Sequence, residues 1–187
     1  MPTLIKPTYD THVLPYMTRF TKINIEQSKI DLIKELVKNV VKEKAKEYHH
    51  VVDGKKEEKR FFTGFIGEAA IENLLGIAII DWRVGVSQKF FIPDLSGHNV
   101  NIGIKTVEWG KFPIIFKSSH GPEIINIKLS DTEVLVCGFA SVKCLRLYQS
   151  DDLILSPLLK AKGTKTGFFG FNELKQFRTL DELKLLV

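Results

Sequence analysis

Asp94 and Lys105 are the two residues of this 187-residue chain whose types and spacing suggest chemistry. Asp94 closes the run Lys89-Phe90-Phe91-Ile92-Pro93, and a polar turn, Ser96-Gly97-His98-Asn99, follows it. Beyond the turn, Asn101-Ile102-Gly103-Ile104-Lys105-Thr106 reads as a second strand. Its period of two puts Asn101, Gly103 and Lys105 on one face and Ile102, Ile104 and Thr106 on the other. A lysine among apolar strand residues is costly to bury without a partner, so it faces solvent or a polar site. A carboxylate one hairpin away from an ammonium suits phosphodiester hydrolysis. The acid binds a divalent cation, which polarises the phosphate and activates a water, and the ammonium orients that water or neutralises developing charge. The plainer alternative is a salt bridge across a surface hairpin. A second carboxylate is expected two residues before the lysine, and that position is Gly103.

The elements that must position this pair follow from periodicity. Residues 1–24 contain Pro2, Pro7 and Pro15 and no helical period, which predicts an irregular arm. From Asn24, Ile30, Ile33, Val37, Val40 and Val41 recur at helical spacing, predicting a long amphipathic helix that ends near Tyr48 to His50, with Asp53-Gly54 as the break. Its apolar stripe requires a partner surface, within the domain or on a second copy. A second helix is expected from about Glu57 to Leu75, stopped by Gly76. Gly64 and Gly67 inside it cost about 1 kcal/mol each relative to alanine, which moves the expected start towards Thr63. Candidate strands are 77–85, 88–94, 101–109, 112–117, 124–128, 133–140 and 143–149, rich in β-branched and aromatic residues. Thr179-Leu180-Asp181-Glu182 has capping-box spacing and predicts a C-terminal helix.

Helices, then strands, then helices indicate a single α/β (α+β) domain spanning residues 1–187. Residues 1–55 form the arm and long helix, 60–150 the core, and 151–187 a basic loop with short helices.

Gly64-Phe65-Ile66-Gly67-Glu68-Ala69-Ala70 on a helix, then β-rich segments, then Pro93-Asp94 and Gly103-Ile104-Lys105-Thr106, resembles the PD-(D/E)xK, or restriction-endonuclease-like, nuclease superfamily. The resemblance covers roughly residues 60–150. It implies a central mixed β-sheet flanked by helices and a Mg²⁺- (or Mn²⁺-) dependent DNA nuclease. In it Asp94 would bind metal, Lys105 would position the attacking water, and Glu68 would reach the metal from the helix. Gly103 departs from the motif. Either a carboxylate supplied from elsewhere replaces it, with Glu68 first, then Glu108 or Glu72, or the chain is an inactive relative that binds nucleic acid or inhibits a protein. Glu72 shares the helix face of Glu68, and Asn101 offers a neutral amide oxygen from the same strand face. Enzymes of this kind commonly pair two sites, so a homodimer is expected.

The formal charge of +5 and pI of about 9.1 are compatible with a polyanion partner. Lys111, Lys160, Lys162 and Lys165 are candidate backbone contacts, and Trp109, Phe112, Phe168, Phe169 and Phe171 are candidate stacking surfaces or packing residues. Gly163-Thr164-Lys165-Thr166-Gly167 does not have Walker A order, which argues against nucleotide hydrolysis. The stretch reads instead as a connector. His98 lies between Asp94 and Lys105, and the five histidines show no metal-ligand spacing. Cys137 and Cys144 are isolated, and neither a signal peptide nor a membrane-spanning run is evident. These features suit a cytoplasmic protein.

Overall fold

The computed structural model describes residues 6–46, 54–84 and 92–187, and the side chains of 54 and 55 lie outside that description. Sequence patterning explains its two long helices. α2 (Gln27–Lys44) buries Ile30, Ile33, Leu36, Val37, Val40 and Val41, so its stripe is covered within the chain. α3 (Gly54–Leu75) runs unbroken through Gly64 and Gly67 and ends where Gly76 takes φ +65°. The expected end of the first helix at 48–50 and the break at Asp53 fall outside the described residues.

Two sheets form. The first has the order β1-β5-β4-β2, built from β1 (Thr21–Asn24), β2 (Gly103–Glu108), β4 (Glu123–Lys128) and β5 (Glu133–Ala140). β2 and β4 are parallel, while β4–β5 and β1–β5 are antiparallel, so the sheet is mixed and β2 lies at its edge. The second sheet, β3-β7-β6, joins β3 (Ile114–Phe116), β7 (Lys165–Phe168) and β6 (Gln149–Ser150).

The first sheet separates two cores. Ile102, Ile124, Val134, Val136 and Phe139 pack against α2 and α3 on one face. Ile125, Ile127, Leu135, Cys137 and Ala140 pack on the other, with Val13, Phe20, Ile115, Phe168 and Phe171. Ile124 and Asn126 on one face and Ile125 and Ile127 on the other have no exposed surface, which identifies β4 as a strand buried on both sides.

Four expectations need correction. The arm holds α1 (Tyr9–His12), a 3₁₀ turn over Leu14–Arg19, and β1, which pairs with β5. No strand forms over the described parts of 77–85 and 88–94, while 85–91 lie outside the described residues. Residues 143–149 are chiefly helix α4 (Val142–Leu147). There Ser141 caps the first turn by accepting from the Cys144 amide at 3.2 Å, and this local bond overrides the β-like run of side chains. The supposed connector at 163–170 contains β7, preceded by α5 (Pro157–Lys162).

The C-terminal expectation agrees with the structure. α6 (Leu180–Lys184) begins with Thr179 Oγ1 accepting from the Glu182 amide at 3.1 Å. Among the described residues, no helix is long and apolar enough to cross a membrane.

Candidate functional site

As an edge strand, β2 leaves a row of backbone groups without a strand partner. Asp94 satisfies one of them: its Oδ2 accepts from the Ile104 amide at 2.5 Å. The approach to β2 is therefore a side-chain anchor and not the second strand of a hairpin. The turn between them is a 3₁₀ segment, Ser96–His98, followed by Asn99 at φ 58° and tied by the Leu95 amide to the Ile102 carbonyl at 3.1 Å. Tethered there, Asp94 lies beside Gly103: a Cβ built on Gly103 would sit 3.8 Å from Asp94 Oδ2.

The same Cβ would sit 3.8 Å from Glu123 Cγ. In the parallel register Gly103 faces Glu123, so Glu123 occupies the flank where the strand motif lacks its acid. Alternation places Gly103, Lys105 and Glu123 on one face of the sheet, with Thr106 against Gly67 of α3 on the other. Lys105 Nζ stands 4.0 Å from Glu123 Oε2, and that oxygen is buried with no hydrogen-bond partner. Glu123 is the residue that reading along the chain missed. The available signal was an acid directly before the wholly buried run Ile124–Ile127.

Glu68, part-buried on α3, approaches Asp94 from the helix side. Burial pushes its carboxyl well above the usual range, and the charges of Asp94 and Glu72 add to the rise. Burial likewise raises Asp94, against the opposing pull of the Ile104 amide and Lys105. It raises Glu123 too, with Lys105 lowering and Asp94 raising. Three carboxyls are thus held where their negative charge is poorly compensated.

Glu68 and Asp94 also line a cleft of ≈ 550 Å³ with Phe65, Ile80, Pro93 and His98. His98 is fixed by a 2.6 Å contact between Nε2 and the Ala78 carbonyl.

The other acidic candidates are committed elsewhere. Glu72 Oε1 accepts from the Ile79 and Ile80 amides at 2.6 and 2.8 Å, and its Oε2 pairs with Lys29. Glu108 binds Lys59 at 3.0 Å and Lys111 at 2.9 Å at the far end of β2. Asn101 is exposed just before β2.

Of the basic candidates, Lys111 is held by Glu108, and Lys160 on α5 lies 3.5 Å from Asp152. Lys162 is exposed at the end of α5. Lys165 on β7 lies close enough to Lys105, Arg60 and Lys162 for their charges to depress its amine, after burial as the largest cause. Of the aromatic candidates, Phe168 and Phe171 are core residues, whereas Trp109 is exposed and meets Tyr9 edge-on at 5.1 Å.

A cation placed among these carboxyls would compensate charge that the protein leaves uncompensated. The buried Glu123 oxygen has no donor, and burial works against the charge on all three carboxyls. As the side chains stand, no group of three or more His, Cys, Asp or Glu among the described residues forms a ready-made ligand cluster. Asp94 Oδ2 is occupied by the Ile104 amide.

No protein-family model, curated protein or solved structure matches this chain.

Proposed function

We propose that this protein is a Mg²⁺-dependent DNA nuclease with a restriction-endonuclease-like core. The observation that carries the reading is Glu123. It brings a buried, donor-less carboxyl oxygen to the flank of Gly103, beside Asp94 and 4.0 Å from the Lys105 ammonium.

Asp94 and Glu123 would hold the metal, with Glu68 contributing from α3. Mg²⁺ (or Mn²⁺), when bound, polarises the scissile phosphate and favours ionisation of a water. Lys105 stands at the edge of the sheet, where it can orient that water and offset charge on the phosphoryl oxygens. The Ile104 amide fixes the Asp94 carboxylate and so keeps both groups in register. In the reaction the water oxygen gives up a proton to solvent and bonds to phosphorus, the phosphorus–oxygen bond to the leaving group breaks, and the leaving oxygen takes a proton from solvent. A homodimer, with one site for each strand, is part of the proposal.

The test is incubation of the purified protein with Mg²⁺ or Mn²⁺ and linear, circular or single-stranded DNA. Metal-dependent cleavage that Asp94→Ala and Lys105→Ala abolish is the expected result. Binding without cleavage of any substrate would overturn the enzyme reading in favour of an inactive nucleic-acid-binding module. That second reading draws on the absence of a preassembled ligand cluster among the described residues.

A further inference from the structure

The aromatic ring of Phe116 is half exposed at the end of β3, and the Lys165 ammonium lies 4.9 Å from its centroid. The two residues face each other in the β3–β7 register. The chain leaving Phe116 is held in a tight turn: the Phe116 carbonyl accepts from the Ser119 amide at 3.1 Å and from its hydroxyl at 2.9 Å. Arg146 donates to the Ser119 carbonyl at 3.1 Å, and the Lys117 amide donates to the Thr164 carbonyl at 3.1 Å. From this braced turn the chain passes directly into Glu123 at the candidate site.

Neighbouring lysines are neutralised by acids: Lys117 by Asp151 at 2.6 Å and Lys160 by Asp152 at 3.5 Å. Among the described residues no carboxylate pairs with Lys162 or Lys165. Burial, followed by the charges of Lys105, Arg60 and Lys162, holds the Lys165 amine below its ordinary value. Arg60 is paired with Glu57 at 2.6 Å and Lys105 lies 4.0 Å from Glu123, so the uncompensated charge at this corner is that of Lys162 and Lys165, which a polyanion would relieve.

We propose that Phe116 and Lys165 form a subsite for one unpaired nucleotide of single-stranded DNA, with the base stacked on the Phe116 ring and its phosphate held by Lys165 together with Lys162. The proposal rests on the nuclease reading, and it specifies a substrate strand that is unpaired beside the cut. A flat apolar ring takes any base, whereas bases stacked inside a duplex cannot reach it. A cation beside the ring supplies the backbone contact.

The experiment measures fluorescence anisotropy of labelled oligo-dT and of a blunt duplex, in EDTA, with wild type, Phe116→Ala, Phe116→Tyr and Lys165→Gln. The same proteins are then assayed for cleavage with Mn²⁺. Phe116→Ala is expected to weaken oligo-dT binding about tenfold or more while leaving the duplex within about twofold, and Phe116→Tyr should retain tight binding. Lys165→Gln should reduce the salt dependence of oligo-dT binding by about one phosphate contact. Unchanged oligo-dT binding by Phe116→Ala, or an equal loss on both DNAs, would overturn the subsite. Selective binding as described without any metal-dependent cleavage would overturn the nuclease reading alone. Cleavage of single strands that Phe116→Ala leaves unaltered would overturn the subsite alone, and a wild type that binds neither DNA would overturn both.

Discussion

Two glycines of α3 separate the effect of helix propensity from that of tertiary contact. Gly64 has nothing within 4 Å of where a Cβ would sit, so Gly64→Ala should stabilise the protein by about 1 kcal/mol through propensity alone. Gly67, one turn later, would place its Cβ 1.6 Å from Thr106 Oγ1 and 2.7 Å from Thr106 Cβ. The hydroxyl can rotate away, but Thr106 Cβ is fixed to β2. Its 2.7 Å separation is about 0.8 Å short of the ~3.5 Å at which two carbons attract best. Helix and strand must therefore part. Overpacking of this kind costs about 1–3 kcal/mol, which cancels or exceeds the same propensity gain. The Asn126 Nδ2 bond to the Gly67 carbonyl, 3.3 Å long, is strained by the same shift. Urea unfolding of the two single mutants at unchanged slope measures the difference, expected at about 1–3 kcal/mol in favour of Gly64→Ala. Because Glu68 follows Gly67, cleavage should fall in Gly67→Ala and persist in Gly64→Ala. Equal stabilisation by both substitutions would refute the close packing of α3 on β2.

Gly103→Ala should be tolerated, with stability changed by less than about 0.5 kcal/mol and cleavage retained, because its Cβ meets only ordinary contacts at 3.8 Å; thermal unfolding and a cleavage assay check it. Glu72→Gln should destabilise by about 1–3 kcal/mol at neutral pH, since Glu72 satisfies two amides and Lys29. Although burial opposes it, the bonds from Lys29, Ile79 and Ile80 hold the Glu72 carboxyl below its ordinary value of 4.5. Its stabilisation is therefore present above that value and lost as pH falls through the lower folded one. The gap between Glu72→Gln and wild type should close in acid, as read by urea unfolding across pH.

Residues whose roles follow from spacing along one element were legible in the chain. Asp94 and Lys105 fall beside the same edge strand, and Glu68 reaches Asp94 from the helix that Gly76 terminates. The apolar period of α2 identified its buried face. What could not be read depends on pairing between distant segments. Glu123 enters the site only because β2 and β4 run parallel in a register that opposes it to Gly103, and no local pattern encodes that register. Lys165 reads as part of a connector because β7 is short and glycine-containing. Its strand character comes from its two neighbours, β3 and β6. At 143–149 the composition suggested a strand, but the Ser141 cap selected a helix.

The central claim is that Glu123 supplies the carboxylate that Gly103 lacks. Glu123→Gln preserves the shape of the side chain and removes its charge, so Mg²⁺-dependent cleavage of DNA by this variant is the most direct measurement. The account predicts a loss of about 10² or more in rate, with folding and DNA binding intact. Cleavage by Glu123→Gln at the wild-type rate would contradict it.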